Sequence, residues 1–431
     1  LFIPICLETL LYMLSGMVDT LMLSSVNDQA VGAVGTANTY IGIFIIMFSV
    51  ISSGMVAVMT QNIGAGRPGV AYQARQLGLA FNAVLGVIMS LFLSLGAGTI
   101  LSGVGVADAL MQPAKTYLQI VGGFCILNAL IPICSSYLRA FGFSKEPLYA
   151  SIIGNVINFC LNAFFLFVLH KGVAGVATAT VISRIINLVI VVLLGAVLVK
   201  AKQHPERESN RAVMGQIIRI GLPSACETAI YNVSMTLVIR FLNQMDAQGL
   251  NVTARSYTMQ ITNFSYCVGA ALAQANAIMT GWHIGAKEYD ACDRGTKKAA
   301  VIGVIVAVIL ETVFTLCSGW IMQLFSKDPQ MVSLVGKLLA IDIVLEIGRV
   351  TNLVYGQALK TSGDAVFPVV MGACFMILCS VGGTYLFGIR LGLLAVGAYI
   401  GMTGDECVRA VGMYLRWKSG KWKEKGLVKS R

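Results

Sequence analysis

The side chains with the greatest chemical potential in this 431-residue chain are acids and amides set inside long apolar runs. Asp19 lies late in the first run, in GMVDT, and Asn155, Asn158 and Asn162 stand in a later one at spacings of three and four, which places all three on one helix face. The next run carries Thr178, Thr180 and Ser183, with Thr180 near the depth of Asn162. A carboxylate near a bilayer centre costs at least about 2.5 kcal/mol, so an intramembrane acid is a functional candidate by default. One acid among amides and hydroxyls suits a proton or a sodium ion, because an apolar setting favours the neutral carboxyl and neutral oxygens coordinate a hard cation. The amides could equally serve to join helices.

The second half of the chain holds a different set: Glu227, Glu311, Asp342, Glu346 and Arg349. A spacing of three predicts that Glu346 and Arg349 pair, leaving Asp342 as the net acid of its helix. Asp405, Glu406 and Arg409 read as a self-compensating group near the inner boundary, and Arg184 as a counter-charge for a neighbouring acid. Glu8 and Glu227 each follow a proline by four residues, which predicts a common role in helix packing or in a cavity. Tyr12, Asn38, Tyr231, Tyr257 and Gln260 complete the candidate lining of that cavity.

The elements that must hold these residues follow from composition. Hydrophobic residues make up 57% and charged residues 12%, about half the charged share of a soluble domain, so most of the surface does not face water. A disordered, collagen-like or nucleic-acid-binding chain is excluded. A hydrocarbon layer of about 30 Å needs roughly 20 apolar residues per helix. Twelve such runs are predicted: 1–24, 31–60, 74–101, 114–139, 147–169, 173–199, 214–243, 254–281, 297–322, 331–358, 365–388 and 391–415, with kinks expected near Pro4, Pro132 and Pro223. The expected organisation is a lobe over 1–199, a cytoplasmic linker over 200–213, a second lobe over 214–415 and a basic tail over 416–431. Twenty-one of the thirty-one Lys and Arg fall after even-numbered spans or in the tail and seven on the opposite side, which predicts that both termini are cytoplasmic. The tail's charge reads as orientation control, with contact to anionic headgroups as the other reading. The net charge of +11 therefore implies no polyanion partner.

Comparison of the chain with itself shows a repeat. Pro4, Glu8 and Thr9 return as Pro223, Glu227 and Thr228; Met59-Thr60 and Ile63-Gly64-Ala65 as Met279-Thr280 and Ile284-Gly285-Ala286; Gly142 and Pro147 as Gly363 and Pro368; Leu166-Phe167 and Gly172 as Leu386-Phe387 and Gly392. The offset stays at 219 to 221. Because each copy has an even number of spans, both begin on the same side, so the halves are expected to be related by a pseudo-twofold axis along the membrane normal. The fold class is thus an all-α polytopic membrane protein of two six-helix bundles, the architecture of an alternating-access carrier.

Enzyme signatures are absent. There is no GxxxxGK[ST], no HExxH and no G-x-S-x-G, and the three histidines, His170, His204 and His283, stand apart. The eleven cysteines form no CxxC and read as small hydrophobes. The chain opens at Leu1 with no charged region before its first apolar run, so a short N-terminal piece is expected to be missing and no signal peptide is predicted. No cofactor or metal is expected beyond the coupling ion.

Over its whole length the chain resembles the multidrug and toxic compound extrusion (MATE) family, bacterial, of the DinF-like branch or a related uncharacterised one. The resemblance rests on P-x14-DT from Pro4 to Asp19-Thr20, Q-x-x-G at Gln61 to Gly64, G-N-x-x-N at Gly154 to Asn158, A-T-x-x-S at Ala179 to Ser183, and ALKTSGD at Ala358 to Asp364. It implies a secondary exporter in the plasma (inner) membrane in which Asp19, with Asn158 and Thr180, takes a proton or sodium ion. The implied cargo is a small organic, amphipathic or cationic compound, and the expected working unit is a monomer. A lipid-linked oligosaccharide flippase of the same superfold is the alternative, and it expects a more basic cavity. Asn162 stands where DinF-like members often have a second Asp, and Lys360 where Arg is usual. The E-x-G-R-x-x-N of Glu346 to Asn352 looks like an uncharacterised bacterial branch.

Overall fold

In hydrocarbon a backbone N–H or C=O has no water to turn to, and α-helices satisfy these groups within one segment. The computed structural model describes residues 1–431 except 25–27, 104–107, 201–203, 247–248, 324–325, 327 and 429–431, and it is helical almost throughout. Lys202, Lys327, Lys429 and Arg431, used above for orientation, lie outside the described residues.

The first half runs α1 (Phe2–Ser24), α2 (Asp28–Gly64), α3 (Pro68–Gly103), α4 (Asp108–Tyr117) with a wide π turn at Leu118–Gly122, α5 (Ile126–Ala140), α6 (Lys145–Ala163) with a π turn at Phe164–Val168, and α7 (Gly172–Leu198). The second half runs α8 (Asn210–Met245), α9 (Leu250–Gly285), α10 (Tyr289–Leu316), the short α11 (Ser318–Gln323), α12 (Pro329–Ser362), α13 (Val366–Phe375) with π turns at Met376–Val381 and Thr384–Arg390, and α14 (Leu394–Lys418). Taking α4 with α5, α10 with α11, and α13 with its π turns as one pass each gives the twelve expected passes.

Among the described residues, seven helices are long and apolar enough to cross a membrane by length and composition alone, or eight with the bent pair α4–α5 counted. The helices α8, α9, α12 and α14 fall short because polar and charged residues interrupt their apolar runs, among them Glu227 on α8, Arg255, Asn263 and Asn276 on α9, Asp342, Glu346 and Arg349 on α12, and Asp405, Glu406 and Arg409 on α14. The bend differs from expectation. It measures 43° between Leu110–Gly122 and Ile126–Ala140, at the Gly122-Gly123 pair next to the π turn, whereas α5 runs on through Pro132 and α8 through Pro223.

Two compact units are present, one built on Ile3–Leu222 and one on Pro223–Arg431. In the first, α3, α4, α5 and α7 close around Leu93, Leu101, Leu118 and Phe48. Residues 204–209 have no regular secondary structure and are fastened to the start of α3: Arg67 pairs with Glu208 at 2.6 Å, and the Gln73 amide donates to the Glu208 carbonyl at 2.7 Å. The Arg207 guanidinium also donates to the Gly69 carbonyl at 2.9 Å.

The second unit gathers around Leu338, Leu339, Leu345 and Tyr399, with a separate cluster around Trp417 and Trp422. Between α8 and α9, Asp246 accepts from the backbone N–H groups of Leu250 (2.8 Å) and Asn251 (3.0 Å). Desolvation acts to raise this carboxyl, but the hydrogen bonds from Asn251 and Leu250 outweigh it and hold the group below its ordinary value.

The repeat is visible in backbone conformation. Gly142 and Gly363, which end the corresponding helices α5 and α12, have φ of 90° and 99°, and Gly172 and Gly392 have φ of 54° and 69°. Left-handed residues of this kind close a helix by satisfying its last carbonyls.

In the second unit α14 packs against the π segment through glycines: a Cβ on Gly401 would lie 2.9 Å from the Gly383 carbonyl carbon and from the Thr384 nitrogen. Such close backbone approach is how membrane helices gain dispersion contact. Gly401→Val is expected to lower stability by about 1–3 kcal/mol, read as a drop in thermal unfolding temperature in detergent.

Candidate functional site

Asp19 and Asn162 both stand near the ends of their helices, α1 and α6. The structure brings them together: the Asn162 amide donates to Asp19 Oδ1 at 2.6 Å and to Asn158 Oδ1 at 3.2 Å. Asn162 is 0% exposed and Asn158 is buried, while Asp19 is half-buried. The Asn162 carbonyl oxygen has no hydrogen-bond partner, so the chain of three groups keeps an open acceptor beside the carboxylate. Arg184 on α7 is close enough to Asp19 to act on it electrostatically, as expected.

Asn155 is half-buried one turn away and does not join this chain among the described contacts. Thr180 is buried, and its hydroxyl donates to the Val176 carbonyl at 2.9 Å, so only its lone pairs face outward. An acid with amide oxygens and one open acceptor can hold a proton or a small hard cation.

The carboxylates Glu8 and Glu227 are each held by a cation. Arg139 at the end of α5 pairs with Glu8 at 2.6 Å, and Ser151 donates to the other Glu8 oxygen at 3.4 Å. Lys360 at the end of α12 pairs with Glu227 at 2.6 Å. Arg139 and Lys360 occupy equivalent repeat positions, so this is one ion pair built twice. Neither partner follows from local spacing, since both pairs join residues more than 130 positions apart. The signal was nonetheless present, because the offset relating Gly142 to Gly363 also relates Arg139 to Lys360.

The remaining acids of the second half converge. Glu311 on α10 and Asp342 and Glu346 on α12 are buried, and one carboxylate oxygen from each lies within 4.8 Å of the others, a spacing that could hold a metal ion. Glu227 is not among them. Both Glu311 oxygens, Asp342 Oδ2 and Glu346 Oε2 lack hydrogen-bond partners.

Arg349 pairs with Glu346, as its spacing predicts, and reaches Glu406 at 3.9 Å. The α14 group is self-compensating, as expected: Arg409 lies 2.7 Å from Asp405 and 2.8 Å from Glu406, and the three buried residues continue the α12 network. Asn352 donates to Glu406 at 3.0 Å and Ser380 to Asp405 at 2.9 Å. Gly348 makes the junction possible: a Cβ there would sit 2.8 Å from the Cys407 nitrogen and 2.9 Å from the Glu406 carbonyl carbon.

This network holds five acids and two arginines, an imbalance that a low-dielectric interior tolerates only with bound protons or cations. The expected cavity residues lie on the unit surfaces: Tyr12 is 72% exposed, Asn38 and Gln260 are exposed, Tyr231 is borderline and Tyr257 is half-buried.

The family model MatE matches residues 4–164 and 223–386, one match in each half of the repeat. The chain belongs to the MATE family. It is similar to the uncharacterized transporter YisQ of Bacillus subtilis, 34% identical with 99% of this chain and 94% of the relative covered. It is also similar to the probable multidrug resistance protein NorM of Thermotoga maritima, 22% identical over 99% and 93% of the two chains.

Solved MATE structures share the fold. One in a bent conformation has a TM-score of 0.86 at 19% identity, covering 98% and 95% of the two chains. A MOP superfamily transporter from Pyrococcus furiosus has a TM-score of 0.84 at 18% identity, covering 100% and 96%. The chain is therefore a multi-pass membrane transporter of the MATE family and not an enzyme.

Removing one partner of a buried pair leaves an uncompensated charge and costs about 3–5 kcal/mol. Arg349→Met is expected to destabilise the second unit by that amount in thermal unfolding. Adding Glu346→Gln to the same chain should restore most of the loss.

Proposed function

We propose that this MATE transporter exports a small organic compound, amphipathic or cationic, across the plasma membrane by alternating access, driven by inward movement of protons or sodium ions. The observation that carries the reading is the chain Asp19–Asn162–Asn158, a half-buried acid in a membrane helix joined to two buried amides, with an open amide oxygen beside it. Family membership supplies transport, and the relative named as a probable multidrug resistance protein supports the cargo class. The excess of basic residues after even-numbered spans supports cytoplasmic termini. The working unit is a monomer.

In this mechanism Asp19 carries the coupling charge. When it is ionised, Asn162 and Arg184 stabilise it. When it takes a proton or sodium ion, that stabilisation weakens and the bonds joining α1 to α6 rearrange, which shifts the balance between two states. A ligand shifts such a balance only by its differential affinity for the two, so the hydrogen bond from Asn162 must differ between them. Glu311, Asp342 and Glu346 are a second place where a cation can reside. Tyr12, Asn38, Tyr231, Tyr257 and Gln260 offer aromatic and amide contacts along the path of the cargo.

The test is efflux of ethidium, a cationic aromatic dye, from proteoliposomes under an imposed pH gradient and, separately, a sodium gradient. One gradient is expected to drive efflux and Asp19→Asn to abolish it, while Asn162→Ala slows it at least about ten-fold. Efflux by Asp19→Asn equal to that of the unsubstituted chain under both gradients would overturn the proposal.

A further inference from the structure

The basic segment after α14 is folded. Trp417 and Trp422 stack with ring centroids 4.2 Å apart and planes 8° from parallel, and both are about 1% exposed. The Trp422 ring N–H donates to the Trp417 carbonyl at 2.9 Å, and the Trp417 ring N–H donates to Asp293 Oδ1 at 2.9 Å. Tyr289 and Tyr355 pack edge-on or tilted against the pair. A 3-10 turn, Lys421–Glu424, carries the chain back under the unit, and Gly363 leaves room for it: a Cβ there would lie 2.3 Å from the Lys425 carbonyl oxygen.

The charges divide accordingly. Arg416 pairs with Asp364 at 2.7 Å, and Lys297 takes the second Asp293 oxygen at 2.6 Å. Lys418, Lys421 and Lys423 are exposed and make no ion pair among the described residues, and Glu424 is the one acid between 416 and 428. Lys423 lies over the Trp422 ring at 5.8 Å, so its stem is guided by the stack.

We propose that residues 416–428 form a rigid, tryptophan-anchored platform that binds anionic phospholipid headgroups of the inner leaflet through Lys418, Lys421 and Lys423. The leaflet rests on the orientation proposed above; the binding chemistry does not. Retaining a terminus on one side requires only charge, not a buried ring pair with both N–H groups satisfied. A built platform fixes the backbone that carries the lysines before a headgroup arrives, so less ordering entropy is lost on binding than from a loose basic tail. Its place immediately after a membrane helix is where a cluster of lysines meets anionic headgroups. Each lysine near such a surface contributes roughly five-fold to partition.

The test uses the full chain in neutral detergent micelles with Trp282→Phe and Trp320→Phe, which leaves the tail pair as the only tryptophans of the four. Emission is followed as brominated phosphatidylglycerol or brominated phosphatidylcholine is titrated in. The glycerol lipid is expected to quench at a mole fraction about ten-fold lower or less, and 0.5 M salt to erase the difference by screening. Lys418→Gln with Lys421→Gln and Lys423→Gln should make the two lipids equivalent. An unchanged emission maximum before lipid is added shows that the stack has survived these exposed substitutions. Equal quenching by the two lipids in the chain with its lysines intact, or a preference that persists in the triple variant, would overturn the proposal. Micelles have no sides, so this result is independent of the transport reading.

Discussion

Everything in this transporter follows from the cost of a polar group without a partner in hydrocarbon. The rule makes every spanning segment helical, and it explains why so few charges stand at membrane depth. Where charges do occur, it forces them together. Glu8 is met by Arg139, Glu227 by Lys360, and the acids of α12 and α14 by Arg349 and Arg409. Among the buried atoms that escape pairing are the Asn162 carbonyl, both oxygens of Glu311 and one each of Asp342 and Glu346. Open acceptors beside acids offer ligands to a cation.

The two units solve this problem differently. In the first, one acid is hydrogen-bonded to an amide and lies within electrostatic reach of Arg184. In the second, three acids share one pocket and two arginines hold the surrounding network, so fixed charge already offsets part of the negative potential. These acids cannot all be ionised and bare together.

Local spacing explains which parts of this were legible in the sequence. The apolar runs mark every pass, with ends off by as much as eight residues at the start of α10, because a run of about 20 is long while a helix can continue past its apolar stretch. Glu346 with Arg349 could be paired in advance because three residues on a helix bring side chains onto one face. Asp19 and Asn162 could be ranked as partners only by equal depth, and the structure places them in contact. The pairing of Asp405 and Glu406 with Arg409 was readable from their spacing, but their junction with the α12 acids was not, since it depends on how α14 is set against α12 at Gly348. The tail was opaque for a related reason. Trp417 and Trp422 are anchored by Asp293 and Tyr355, more than a hundred and more than sixty positions away, and nothing in RWKSGKWKEK announces either.

The twin ion pairs also carry a historical meaning. The two halves are copies that have diverged for the same length of time within one chain, so whatever both retain marks what the bundle could not lose. The pair at Glu8 and Glu227 is retained, and so are the left-handed glycines at 142 and 363. The ion chemistry is not. At the same offsets Asp19 corresponds to Val238, and Glu346 to Cys125. The scaffold is thus the inherited part of this transporter, and Asp19 in one half and the acid cluster of the other are separate acquisitions or separate survivors, one in each descendant of the ancestral six-helix unit.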